Sequence, residues 1–189
     1  MASPVAAEII LQDSETCTDI GYLSVELEES GFQRMYRWPD GTTRLLIRIP
    51  PPPRATRERA RDLQRKAVRG FQYWNWKPFE LIIDSRKTST EPADITISWD
   101  SGLSGSQLGV TRIKWSVEDS EPHFQALRLT LATRSLSNWN YELRPQQVLL
   151  TAAHEMGHAL GLPHSDSRRD VMYPTNTARS LSTCCTRPP

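Results

Sequence analysis

Cysteine is scarce in this chain of 189 residues: there are three, Cys17, Cys184 and Cys185. They follow no metal-ligand spacing, and the adjacent pair Cys184-Cys185 would make only a strained bridge with each other, so neither a disulfide framework nor a thiolate metal site is indicated. An odd count leaves at least one thiol unpaired. Histidine is just as sparse, with four in all. No apolar run approaches the length of a membrane span, and the first residues, MASPVAAEIILQ, lack the basic and apolar regions of an export signal. A surplus of one charge is missing as well. Twenty-three basic residues stand against 22 acidic ones, a formal charge of +1, so no global field points to nucleic acid, a membrane surface or a strongly charged substrate. Internal repeats are absent, and low complexity is confined to the prolines at 50–53. The hydrophobic content of 38% is ordinary for a soluble domain, and the length suits one domain with a sizeable core.

Three of the four histidines fall in one short segment, His154-Glu-Met-Gly-His158-Ala-Leu-Gly-Leu-Pro-His164. On a helix, His154 and His158 stand one turn apart on the same face, so both imidazoles can reach one metal, and Glu155 projects from the same half. Gly161 falls where the helix would stop, because glycine tolerates the left-handed conformation that turns a chain back; Pro163 cannot continue a helix. The turn would bring His164 round as a third ligand. Three protein ligands leave zinc a fourth position for water, the mark of a catalytic rather than a structural site. A bare HExxH is a weak pattern, but five fixed residue types make a chance match in a chain of this length on the order of one in ten thousand. No glutamate follows Glu155, which removes the arrangement with a downstream Glu as third ligand. Asp166 and Asp170 remain as carboxylate alternatives to His164.

The pattern HExxHxxGxxH with Met172 shortly after resembles the metzincin clan, and Ser165 after the third histidine resembles its matrixin branch, the peptidase M10 type. Arg37-Trp38-Pro39-Asp40-Gly41, the helix ending near Trp74 and Ala93-Asp94-Ile95-Thr96-Ile97 are similar in order and spacing to parts of such catalytic domains. The resemblance implies an α+β fold: a twisted mixed sheet of five strands, a long helix in the N-terminal half, an active-site helix, and a Met-turn at Met172 beneath the zinc. It implies a secreted zinc endopeptidase in which Glu155 is the general base, His154, His158 and His164 bind one catalytic zinc, and Met172 packs as a floor rather than a ligand. It further implies that the strand from Gly109 to Trp115 lies at the cleft edge and pairs with an extended peptide or protein substrate. A monomer is expected. Calcium is a possible further ion that nothing in the sequence supports.

Two features depart from that family. Animal matrixins hold a second, structural zinc with additional histidines, whereas His123 is the sole histidine outside the motif here and reads as an ordinary loop residue. Cys17 does not match the inhibitory propeptide motif, so latency through a cysteine is not inferred. The tail TNTARSLSTCCTRPP leaves too little for the further helix that follows the Met-turn in matrixins, so the metallopeptidase domain, residues 37–189, reads as short at its C-terminus. Residues 1–36 alternate acidic and apolar types without clear period and read as a loosely structured extension, a candidate short pro-segment.

Elsewhere the local pattern is plain. Thr42–Ile49 reads as a strand closed by prolines that cannot donate to a ladder. Ala60, Leu63, Ala67, Phe71 and Trp74 form a core-facing helical stripe opposite Arg57, Arg61, Arg65 and Arg69, a basic face diluted by Glu58 and Asp62. Phe79–Asp84, Asp94–Trp99, Gly109–Val117 and Gln125–Thr133 read as four more strands. The helix bearing the histidines should begin near Pro145 and bury Leu149, Ala153, Met156 and Leu160 on one face. Two rivals to the peptidase stand beside it: a catalytically silent binding protein that keeps fold and zinc, and a metal-dependent hydrolase of non-peptide substrates. The presence of Glu155 argues against the silent one, since such a site can dispense with its base.

Overall fold

The computed structural model describes residues 7–11, 24–26, 33–75, 80–86, 92–104, 107–118, 121–136 and 141–174. Its strands are β1 (Ala7–Leu11), β2 (Ser24–Glu26), β3 (Gln33–Met35), β4 (Arg44–Arg48), β5 (Glu80–Asp84), β6 (Ile95–Asp100), β7 (Gly109–Glu118), β8 (Glu121–Ala132), β9 (Arg134–Ser135) and β10 (Tyr141–Glu142). Its helices are α1 (Arg57–Phe71), continued by a 3-10 turn over Gln72–Trp74, and α2 (Pro145–Ala159). The three cysteines and the tail 175–189 lie outside the described residues.

The five strands expected from the sequence are β4 to β8, and they form a contiguous mixed sheet. The full order is β1-β7-β8-β6-β4-β5; β5, β4, β6 and β8 run parallel, while β7 is antiparallel to β8. A sixth strand, β1, joins the far edge antiparallel to β7, in the stretch that reads from sequence as an extension without clear period. β2 and β3 pair as a small antiparallel ribbon in the same region. β8 also begins earlier than expected, at Glu121. Val117 opposite Pro122 and Glu118 opposite Glu121 prolong the β7–β8 pair, so His123 is a buried strand residue and not a loop one.

In β4, Leu45 and Ile47 are fully buried and alternate with less buried neighbours, the period-2 signature of one face turned to a core. Thr56 caps α1 by accepting from the Arg59 amide at 3.3 Å. The stripe Ala60, Leu63, Ala67, Phe71 and Trp74 is buried as its spacing requires. Gly70 belongs to the same face, and a side chain there would meet the Leu149 carbonyl oxygen at 2.4 Å, so glycine lets the backbone of α1 approach the backbone of α2.

The burial of α2 exceeds the single apolar face read from its sequence. Every residue from Val148 to Ala159 is buried, because the helix is enclosed between α1 on one side and β7 and β8 on the other. Two indoles tie it down: Trp74 Nε1 donates to the Ala153 carbonyl at 2.7 Å, and Trp38 Nε1 donates to the Ala159 carbonyl at 3.0 Å. The second bond satisfies one of the carbonyls that a helix C-terminus leaves without an intrahelical partner.

Candidate metal centre

Pro145 occupies the first turn of α2, where its missing N–H is no loss, and the helix then runs unbroken to Ala159. At the other end the Gly161 amide donates to His158 O at 2.9 Å and the Leu162 amide to Gly157 O at 3.0 Å, with Gly161 at φ +90. That pair of bonds is a Schellman stop, and the positive φ is why glycine is needed there. The chain reverses at this turn. His164 is thereby carried back over the helix it has just left.

The result is a cluster of three buried histidines. His158 Nε2 lies 3.1 Å from His154 Nε2 and 3.2 Å from His164 Nε2. The opposite ring nitrogens of the helical pair face carbonyls: His154 Nδ1 to Val171 O and His158 Nδ1 to Leu162 O, each at 2.7 Å. A carbonyl can only accept, so Nδ1 carries the proton and Nε2 presents its lone pair. Lone pairs converging on one another repel unless a cation lies between them. Zinc–imidazole bonds of about 2.0–2.1 Å in a tetrahedron put neighbouring nitrogens about 3.3–3.4 Å apart, so the spacing here fits that ion. Burial supports the same state: it lowers the pKa of His154 to about 4, with the His164 charge adding to the effect against the Val171 bond and Asp170, and it lowers His158 well below its usual value, helped by His154 and His164. Neutral imidazole is the metal-binding form.

Among the described residues, this is the group of side chains with metal-ligand geometry. The carboxylate alternatives to His164 are placed elsewhere. Asp166 is exposed, and buried Asp170 accepts from the Met172 amide at 2.9 Å. That bond, together with Ser165 N to Met172 O at 2.9 Å, fastens the Met172 turn to the residue after His164. Met172 is 3% exposed, and its sulfur sits where a side chain on Gly157 would be, 2.2 Å from the position of a Cβ. Gly157 lies between His154 and His158, so Met172 supports the ligand helix from below.

Glu155 is 1% exposed and faces β7. Two β7 residues that sequence reading passed over meet it. Thr111 Oγ1 donates to Glu155 Oε2 and also reaches the Glu155 carbonyl at 3.3 Å. Gly109 abuts the same carboxyl, and a Cβ at 109 would stand 2.3 Å from Oε1. Nothing local marks either residue, since the contact joins positions 44 residues apart. His123 lies in β8, outside the ligand cluster.

Comparison with known proteins agrees with the geometry. The family model for matrixin matches residues 43–184. Metalloendoproteinase 1 of Glycine max is 30% identical over 184 residues, covering 92% of this chain and 55% of that protein. Matrix metalloproteinase-18 of Xenopus laevis is 26% identical over 181 residues, 91% of this chain and 34% of the relative. Macrophage metalloelastase of Oryctolagus cuniculus is 28% identical over 132 residues, 65% of this chain and 26% of the relative. The chain thus spans about half, or less, of the length of these relatives.

Proposed function

The chain belongs to the matrixin family, and from that premise we propose that it is a zinc-dependent endopeptidase with Glu155 as general base and His154, His158 and His164 as the ligands of one zinc. The observation that carries the reading is the convergence of three Nε2 atoms at 3.1 and 3.2 Å steps beside a buried carboxylate. Bound zinc would supply Lewis acidity, acidifying a water and polarising the scissile carbonyl. The rest of the work falls to the protein. The Val171 and Leu162 carbonyls hold the helical imidazoles as Nδ1–H tautomers, so their Nε2 atoms are already aimed before any metal arrives.

The carboxylate of Glu155 takes a proton from the attacking water and returns one to the leaving amine, so that water and a peptide become a carboxylic acid and an amine. Thr111 fixes that carboxylate by donating to Oε2. A general base must be held within hydrogen-bond reach of the proton it moves, and a hydroxyl on a sheet strand is a rigid support. The substrate is an extended peptide laid along β7, recognised through backbone hydrogen bonds more than side chains. Action outside the cell and a monomeric state complete the proposal; among the described residues no helix is long and apolar enough to cross a membrane.

The test is zinc per chain by elemental analysis together with cleavage of casein before and after chelation. One zinc and chelator-sensitive cleavage are expected. One zinc with no cleavage of any peptide would favour the silent binding protein, and no zinc after reconstitution would remove the metal centre.

A further inference from the structure

β7 presents two faces. Gly109, Thr111 and Ile113 turn toward α2 and the core, where Thr111 meets Glu155. Arg112 and Lys114 alternate with them and so project from the opposite face of the sheet, Arg112 partly buried and Lys114 exposed. The same alternation sends exposed Arg128 of β8 outward between Leu127 and Leu129 of the core. The register makes this arrangement costly. Arg112 is paired directly with Arg128, and Lys114 is the next residue of β7 on that face. Like charges directly opposite each other in a sheet are destabilising.

The protein itself supplies little relief. Among the described residues no ion pair joins any of the three cations to an acidic group. Thr96 stands beside Arg128 in register, and the hydroxyls of Ser98 and Thr130 bond to each other at 2.9 Å, so these neighbours are neutral. The Asp94 carboxylate accepts from the Leu46 amide at 2.7 Å, and that of Glu118 from the Ser116 hydroxyl at 3.5 Å. A chain whose formal charge is only +1 thus gathers three uncompensated cations on and beside the strand assigned to the cleft. Natural sequences break local rules of this kind at functional sites.

We propose that Arg112 and Lys114, backed by Arg128, select peptide substrates that carry two acidic residues at positions i and i+2, close to the bond that is cut. This rests on the peptide-hydrolysis reading, in which the substrate lies extended along β7. Side chains of an extended peptide alternate as those of β7 do, so residues i and i+2 fall together on the outer face while the one between turns toward α2. The edge is seen carrying a strand in this geometry: Ala7–Leu11 pairs antiparallel with it, Glu8 opposite Lys114 and Ile10 opposite Arg112. Residues opposite each other in such a pair have Cβ atoms about 4.5–5.5 Å apart, within reach of a salt bridge between a long cation and a carboxylate. The spacing of two holds for either strand direction. Proximity to the cleaved bond follows from Arg112 being next in sequence to the threonine that holds the Glu155 carboxylate.

The experiment uses the full chain with zinc bound. Two fluorogenic peptides of identical composition, one with Glu at i and i+2 and one with Glu at i and i+1, are compared with a third carrying Gln for both, and the pair is walked along the sequence. In one register the i, i+2 peptide should exceed the Gln peptide by about 2–30-fold in kcat/KM, mainly through KM, as two cross-strand charge pairs imply. The i, i+1 peptide can use one pair only and should fall between. Ratios between peptides cancel whatever the peptides share, displacement of Ala7–Leu11 included. Equal values for all three peptides overturn the proposal; so do equal values for the two acidic ones, which would reveal a general field without register. In 1 M salt, where the screening length is about 3 Å, the gain should shrink, and a gain untouched by salt counts against charge as its cause. Arg112→Glu with Lys114→Glu should invert the order, so that Lys at i and i+2 is preferred over Glu, an outcome that a merely structural role does not produce; an unchanged order refutes the assignment. If that double variant fails to fold, Lys114→Glu alone, at an exposed position, should switch the preference from Glu to Lys at one of the two sites, and no switch is equally fatal. If the parent holds zinc and cleaves none of the peptides, the hydrolysis reading falls by itself. Anisotropy of the labelled peptides then decides the selection, with tighter binding of the i, i+2 peptide upholding it and equal binding refuting it.

Discussion

Gly157→Ala probes the floor of the metal centre, because the added methyl has a known neighbour. Its Cβ would stand 2.2 Å from Met172 Sδ, 3.0 Å from Met172 Cε and 3.1 Å from an indole carbon of Trp74. Ordinary contact begins near 3.4 Å, so the sulfur must retreat by 3.4 − 2.2 = 1.2 Å. Trp74 cannot give way cheaply, since its Nε1 is bonded to Ala153 O at 2.7 Å. Met172 therefore moves, and it is held at both backbone atoms, by Asp170 and by Ser165. Overpacking of this kind costs about 1–3 kcal/mol. Replacing a helical glycine by alanine returns about 1 kcal/mol. The net is a loss of about 1 kcal/mol, or roughly 2–4 °C in the Tm of a domain this size. Zinc should bind about tenfold more weakly, as expected when groups supporting the ligands are disturbed. Thermal unfolding of the metal-free protein and competition against a chelating indicator read the two effects. Truncating the obstacle, Met172→Ala, should make the Gly157→Ala change nearly free, so a double-mutant cycle should show a coupling of about 1–2 kcal/mol. Additive effects, or a Gly157→Ala protein with parental stability and zinc affinity, would refute the account of Met172 as the support.

Three further predictions follow from single contacts. His164→Ala should weaken zinc binding and abolish cleavage; an active, zinc-loaded variant would move the third ligand to Asp166 or Asp170 and contradict the cluster. Thr111→Val should lower kcat by about tenfold with KM and zinc content intact, while Thr111→Ser restores it, because the hydroxyl and not the methyl steadies Glu155; equal rates in Val and Ser variants would dismiss that role. For pH, the pKa of His154 drops from 6.5 to about 4 on folding, so the unfolded chain binds the extra proton between those values. Stability present above pH 6.5 is then lost as pH falls toward 4, by roughly 3 kcal/mol at most for this residue. The denaturant midpoint of the metal-free protein should be lower at pH 5 than at pH 7, and equal midpoints would count against burial of neutral histidines.

How much of this was legible in the sequence depends on how local each feature is. The spacing of His154, His158, Gly161 and His164 encodes a helix, a stop and a return within 11 residues, and the structure keeps that plan down to the positive φ at Gly161. The α1 stripe and the strands β4 to β8 were legible for the same reason: periods of 3.6 and 2 are written in neighbouring residues. Contacts across long separations were not. Thr111 meets Glu155 only because β7 folds under α2, and no residue near either one announces it. The pairing of Ala7–Leu11 was hidden likewise, since which edge a strand joins is decided by topology and not by its own pattern. Pro122 concealed the start of β8, because proline within a run argues against a strand although here it sits in the paired stretch opposite Val117.

The most direct test of the central claim separates ligand from base in one protein. Glu155→Gln keeps the size of the side chain and removes its ability to accept a proton, while the three histidines are untouched. Zinc per chain and turnover of an unstructured substrate such as casein should be measured together on parent and variant. The account predicts one zinc in both, with the rate of the variant lower by about 10²–10⁴-fold. A zinc-loaded variant that cleaves within about threefold of the parent, against that expected range, would contradict it.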